Sequence, residues 1–471
     1  MSKHFNWFTT TTAVVALCMA SSAFATNGYF THGNGTKNKA MAGSGIAMPE
    51  DSIDVTNNPA VAPFVGKQLI IGAAVFSPIR KYETGDSMFN GNFNAFTIGP
   101  NSLKSKSNYF VIPHIAMSWQ LDNGNALAVS FYGRGGMNTD WQGGTATFDP
   151  DGPGPAQVGT FPGTYGDALF GGEGDAGVNL SQAFLDLTWA KQFSDHISLG
   201  VSAILAGQMF EAEGVRTFAQ YTKTFAESSN PMMPDMPTNL SNNGKSWSYG
   251  YGLKVGIHAP LTDRVALGAM YQTKIKMGDF DEYSDLFAGG GSFDIPANLK
   301  LGLTAKVSER LTMNFDLEHT WFSDVPAVGN PIQNLFKCPT AGQGGTDTSY
   351  CLGGSRGGGF GWEDMTVYKI GMAWKSGEDW TWRFGYSYGD QPIPSDQMSF
   401  NILAPATIKQ HFTGGFTLER TPGRQFNVAL MYAPNSKVGG PQNFDGPPIA
   451  AQTVILEMYQ WELEASYSWR F

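Results

Sequence analysis

Few side chains in this chain stand at a spacing that does chemistry. Cys338 and Cys351 lie in a Gly-rich stretch. No further Cys or His sits near them at ligand spacing, so a zinc site is not expected. The acidic cluster Asp279, Asp281, Glu282 and Asp285 invites a calcium reading, yet it lacks the loop-closing Gly and the spaced terminal Glu of an EF-hand. The run GNGTK (33–37) lacks the G-K-[ST] that precedes a helix in a phosphate loop. His319, with Trp321 beyond it, would serve as the base of a surface hydrolase only beside a partner Ser, and none is identifiable. These residues predict no enzyme, no metal and no cofactor. Aromatic side chains and glycines carry more information than the titratable groups.

The elements that hold such side chains begin with a leader. Lys3 and His4 open a polar region, Ala13–Met19 is apolar, and Ala23-Phe24-Ala25 is an A-x-A cleavage site. Residues 1–25 are therefore expected to be a signal peptide, with the mature chain starting at Thr26. Cys18 follows Leu17, too bulky for a lipid-attachment site. In an exported chain the remaining pair, Cys338 and Cys351, reads as a disulfide closing a loop. The net charge of −10 argues against nucleic acid, which requires a basic face.

No later segment has the ~18–20 consecutive apolar residues of a membrane helix. A membrane barrel needs only ~9–11 residues per strand, alternating in polarity. The C-terminus shows that alternation. Tyr459, Trp461, Leu463, Ala465, Tyr467, Trp469 and Phe471 interleave with Gln460, Glu462, Glu464, Ser466, Ser468 and Arg470. About fourteen such stretches follow one another: 67–81, 109–121, 125–137, 180–193, 196–209, 247–259, 264–277, 295–307, 310–322, 365–376, 379–389, 410–420, 424–433 and 457–471. Short turns such as LDNGN (121–125), PLTDR (260–264) and TPGR (421–424) join alternate pairs, while long irregular segments join the others. Segregated loop length of this kind marks an outer-membrane barrel with its short turns in the periplasm. The expected fold is all-β: a 14-stranded antiparallel transmembrane barrel over 67–471, whose last strand pairs with its first. Residues 26–66 fit no strand and are too few to bury a core alone. Their small apolar residues and the turn at Asn58-Pro59 place them as an N-terminal plug inside the barrel; a loose periplasmic arm is the alternative.

The stretches GYFTHGNGTKNKAMAGSGIA with NNPA, PANLKLGLTAKVSERLTMNFDLEHTWFSD, and RFGYSYGDQPIPSDQMSFNILAPATIKQHFTGGF resemble the FadL/TodX family of outer-membrane transporters for long-chain fatty acids and aromatic hydrocarbons. The resemblance runs over nearly the whole mature chain. It implies a hatch inside the barrel, an apolar groove among extracellular loops, and a sideways exit at a kink in the third strand. On that basis Asn58, Pro59 and Ala60 match the family's hatch turn. Gly133, Gly135 and Gly136 fall where the kink is expected, although simple strand termination would also place glycines there. Arg134 between them would face the lumen and meet a carboxylate.

From the residues themselves, Phe218, Tyr221 and Phe225 at i, i+3, i+7 predict a short amphipathic helix. Tyr283, Leu286 and Phe287 repeat the idea, and Met232, Met233 and Met236 add an adaptable apolar surface. These faces form a receiving groove, pack the loops together, or do both. Arg216 and Lys223 are candidates to hold a fatty-acid carboxylate. The acidic cluster reads as a solvated face or as divalent bridging to lipopolysaccharide. The expected partners are a hydrophobic small molecule, outer-membrane lipid and lipopolysaccharide, with the protein monomeric. The function implied is passive transport of hydrophobic compounds, most of all long-chain fatty acids. Aromatic hydrocarbons, a surface adhesin or receptor, and a general porin are the alternatives.

Overall fold

The computed structural model describes residues 27–150, 158–230 and 232–471; the expected leader lies outside them. Fourteen antiparallel strands close into a ring. In chain order they are β1 (Gln68–Thr84), β2 (Phe110–Gln120), β3 (Asn125–Trp141), β4 (Ala176–Ser194), β5 (Ile197–Glu213), β6 (Ser246–Thr262) and β7 (Val265–Gln272). They continue as β8 (Asn298–Lys306), β9 (Leu311–Thr320), β10 (Met365–Ser376), β11 (Trp380–Gly389), β12 (Gln410–Thr421), β13 (Arg424–Pro441) and β14 (Thr453–Arg470). Each strand pairs with its neighbours in sequence, and β14 returns to β1 in unbroken register from Gln68↔Arg470 to Thr84↔Val454. Closure leaves no free edge, and the Phe471 N–H donates to the Lys67 carbonyl at 3.0 Å. Among the described residues no helix is long and apolar enough to cross a membrane.

The pattern of exposure inverts that of a soluble protein. On β14 the residues Gln460, Glu462, Glu464, Ser466 and Ser468 are buried, while Tyr459 and Leu463 are exposed. Charged side chains point into the ring and apolar ones point out, as lipid requires. Aromatic contacts gather near the short turns, where Trp380 stacks on Trp382 (5.7 Å) and Tyr467 lies 4.6 Å from Trp469. A second set, including Tyr271 with Trp321 and Tyr109 with Trp461, stands toward the long loops. Two such girdles are what the two water–lipid interfaces select.

The alternation located every strand but misjudged several lengths. β1 reaches residue 84 rather than 81, β3 reaches 141 rather than 137, and β4 starts at 176 rather than 180. β13 and β14 extend toward the outside by 434–441 and 453–456. Beyond the bilayer the outward face no longer meets lipid, so the apolar–polar contrast fades while the hydrogen-bond ladder continues. β7 is shorter than expected: it ends at Gln272, and Ile275 leaves the ladder to pair with Ile295.

Residues 27–66 form short helical turns, almost entirely buried, bonded to inward-facing groups from around the ring. Lys39 pairs with Glu462 (2.9 Å) and Glu464 (2.6 Å) of β14. Gly45 and Ile46 donate their N–H groups to Asp316 of β9 at 2.7 and 2.9 Å. Glu50 pairs with Arg383 of β11, and the Ser52 N–H donates to Gln68 of β1 at 2.6 Å. Within the segment, burial and then the neighbouring Asp51 push the Asp54 carboxyl up to about 7. Strand glycines make room for this backbone: a Cβ on Gly371 or Gly385 would collide with Met41. A buried polar backbone persists only when its groups are bonded, and these bonds are of that kind.

Candidate functional site

The first feature is the turn at Asn58. Its side chain accepts the Ala60 N–H at 3.1 Å and caps a single helical turn that starts at Pro59. Its amide donates to the Ile257 carbonyl of β6 at 3.0 Å, and Ser198 of β5 donates to the Ala60 carbonyl at 2.8 Å. The turn therefore rests on two adjacent strands. It fits because those strands carry Gly200 and Gly256, where a Cβ would strike Pro59 and Asn58 respectively. Sequence reasoning picked out the turn and missed the two glycines, whose only signal is a gap in the alternation.

The second feature is the bend in β3. Gly133 pairs with Ala183 and Gly135 with Gln182, so Arg134 is an extra residue, a β-bulge. Pairing between β2 and β3 runs only from Gln120↔Ala126 to His114↔Tyr132. It resumes as a single bond far above, from the Lys106 N–H to the Asp140 carbonyl at 2.9 Å. Between these points the wall lacks ladder hydrogen bonds. The start of the N-terminal segment takes up part of that deficit. The Thr31 N–H donates to the Arg134 carbonyl and the Gly136 N–H donates to the Tyr29 carbonyl, both at 2.9 Å. Gly135 pairs with Phe30 and has no space for a side chain against Gln182. The glycines thus mark a bend within a longer strand, not its end.

Arg134 reaches inward, as expected. Its guanidinium lies 4.5 Å from the Phe30 ring, donates to Gln272 at 2.8 Å, and stands 3.5 Å from Glu318. Lys300 approaches the same carboxylate at 3.6 Å and Lys369 bonds to it directly. Beside them Lys254 pairs with Asp186 at 2.7 Å, both side chains fully buried. Cations outnumber the carboxylates they share here. Apart from Arg134, each of these residues reads in the sequence merely as the wet face of its strand.

Above the bend, loops converge on a narrow apolar crevice with a cavity volume of about 40 Å³. Phe210, Phe218, Leu286, Phe287, Phe360 and Phe400 are among its lining residues. Rings connect it downward: Phe210 to Phe287 at 4.7 Å, Phe287 to Phe293 at 5.1 Å, and Phe293 to Tyr29 at 6.1 Å. An aromatic path therefore links the crevice to the residues that bond the bend in β3.

Of the groove residues named from sequence, Phe218, Leu286 and Phe287 line this crevice. Tyr283 packs behind it on Phe210, its hydroxyl donating to the Gly244 carbonyl at 2.6 Å; burial pushes that hydroxyl up to about 12. Tyr221 packs on Phe444, and Phe225 is half-buried. Met232 and Met233 stand in solvent, 90% and 76% exposed, away from the crevice. The expected single helix is two turns, Arg216–Tyr221 and Lys223–Ala226, divided at Thr222. Thr222 is extended (ψ 154°), and its side chain caps the second turn instead of continuing the first. Arg216 donates to the Phe170 carbonyl at 3.3 Å, and Lys223 lies half-exposed 3.8 Å from Glu227.

The remaining chemistry-bearing residues hold loops together. Cys338 and Cys351 are disulfide-bonded, which sets Leu352 against Tyr221 through a 2.8 Å backbone bond. Asp285 accepts from Thr224 and from the Asn239 N–H, and Glu282 from Ser246. His319 bonds Thr366 at 2.8 Å and packs on Trp321.

Residues 160–467 match the family model described as outer membrane protein transport protein (OMPP1/FadL/TodX). The chain belongs to this family. A long-chain fatty acid transport protein of Escherichia coli O6:H1 is 21% identical, over 98% of this chain and 96% of its own. Among solved structures, a Pseudomonas aeruginosa FadL homologue superposes with a TM-score of 0.62 at 15% identity, covering 96% of this chain and 100% of its own. The Pseudomonas putida toluene transporter TodX gives 0.59 at 18% identity, over 95% and 100%. The FadL/TodX chain described here is therefore an outer-membrane barrel that transports hydrophobic compounds, in a family of transporters, not enzymes.

Proposed function

We propose that this chain carries long-chain fatty acids passively across the outer membrane, with residues 26–66 acting as a hatch. The ligand enters the aromatic crevice, descends past Phe293 and Tyr29, and leaves sideways between β2 and β3. The observation that carries the reading is the unpaired stretch of wall at the β3 bulge, whose backbone is bonded instead by Tyr29 and Thr31. Withdrawal of the hatch removes those bonds and opens a path into hydrocarbon, which keeps an apolar chain out of water. The buried surplus of Arg and Lys around Glu318 favours a ligand that brings a carboxylate. An all-apolar crevice with no cation among its lining residues favours the second reading, an aromatic hydrocarbon.

Labelled oleate and labelled toluene uptake, in cells lacking their own transporter, separates the two. Oleate uptake above vector that disappears when Pro59 is deleted, at equal amounts of folded barrel, is the expected result. Toluene uptake without oleate uptake would replace the fatty acid by the hydrocarbon.

A further inference from the structure

Arg80 is a buried cation that the path described so far does not use. It points inward from β1 at 2% exposure, where burying a charge is costly unless an opposite charge meets it. Among the described residues no carboxylate lies within ion-pair distance of it; Asp140 of β3 acts on it from farther away. Its guanidinium donates to the Asn138 carbonyl of β3 and, at 3.3 Å, to the Ser105 hydroxyl. The Nε–H has no partner among the described residues, and neither does the Asn138 side-chain oxygen.

Its position gives that unsatisfied charge a meaning. β2 starts at Phe110, paired with Phe76, so above that level Arg80 reaches past the end of β2 to β3. It therefore stands at the upper rim of the unpaired stretch between β2 and β3. Next to it is a cluster of apolar side chains, with Gln460 and Glu462 interleaved on the facing strand. The Phe110 ring is 5.7 Å from the guanidinium, and Phe110 packs in one cluster with Phe76, Ile112, Ile408, Met431 and Met458. A cation with an unbonded N–H beside a cluster of apolar side chains is the complement of an amphipathic acid: one anionic head and one long hydrocarbon chain.

We infer that Arg80 binds the carboxylate of the ligand at the lateral opening, while the Phe76–Phe110–Met458 wall takes the adjoining chain. This rests on sideways exit between β2 and β3. The site selects acids over neutral molecules of the same shape at the point of release. A guanidinium presents two N–H groups to one carboxylate, so lysine restores only part of the effect.

The test compares oleate with oleyl alcohol, which keeps the chain and loses the charge. Binding of each labelled probe to the purified, folded full-length barrel, and uptake of each by cells, is measured for the native protein, Arg80→Gln and Arg80→Lys. Heat-modifiable gel mobility confirms equal folding. Arg80→Gln is expected to weaken oleate binding by about tenfold or more, as the loss of a charge-assisted bond would. Oleyl alcohol should change less than about twofold, with Arg80→Lys intermediate for oleate. Equal loss of both probes would make Arg80 only a strut between β1 and β3 and overturn the inference. Unchanged oleate binding in Arg80→Gln would overturn it while leaving fatty-acid transport standing. Native protein that takes oleyl alcohol but not oleate would remove the fatty-acid reading and the anion site together.

Discussion

The ring has two junctions at which its wall could part: the seam where β14 meets β1, and the junction of β2 with β3. The seam joins the two ends of the chain, yet its register is continuous along the full length of β1. The inner junction joins strands linked by one tight turn, yet its pairing stops at His114↔Tyr132. Topology thus does not decide where the pairing stops. An inserted residue does, because one bulge turns a strand away from its neighbour and leaves backbone groups for another partner. In this chain that partner is the segment that also fills the lumen.

Three changes sharpen the contrast. Deleting Arg134 removes the extra residue and lets Gly133 and Gly135 continue one register opposite Ala183 and Gln182. Oleate uptake should fall to the level of empty vector, whereas Arg134→Ala, which keeps the bulge, should retain a measurable part. A smaller effect is expected from Gly256→Val. The added side chain collides with Asn58 and Pro59, so the hatch turn should lift from β6. Planar-bilayer conductance should rise above that of the native protein, and an unchanged trace would show that the turn is not what holds the hatch. Least of all should follow from cross-linking the seam through Val75→Cys with Leu463→Cys, an outward-facing pair in direct register. Uptake after oxidation should match the native protein; its loss would move the opening to the seam.

What the sequence made legible follows from which solvent each residue meets. Lipid outside and polar groups inside impose period 2, so Tyr459 to Phe471 announced a barrel strand and similar runs located the others. The turn at Asn58 was legible because Asn and Pro each have a specific backbone use. Strand length was not legible above the bilayer, where 434–441 meets water and loops on both faces. Arg80 was hidden for a related reason: within RKYE the inward charge and the outward Lys81 look alike. Thr222 broke an apparent helix because apolar spacing reports which side chains share a face but not whether the backbone between them stays helical. The crevice joins residues from two strands and four separate connections, and no local pattern encodes that meeting.

The N-terminal segment comes before β1 in the chain, and Thr36 bonds a residue of β14 that lies 428 positions away. Its partners also sit on β1, β5, β6, β9 and β11, inside a ring with no edge through which forty residues could later pass. The segment made first must therefore wait, held at the centre of a curling sheet, until the last strand arrives to zip against the first. Such distant pairings form slowly. Assembly of this protein is then a wrapping process: the wall is built around its contents, and a barrel that closed too early would be sealed with its own N-terminal segment left outside.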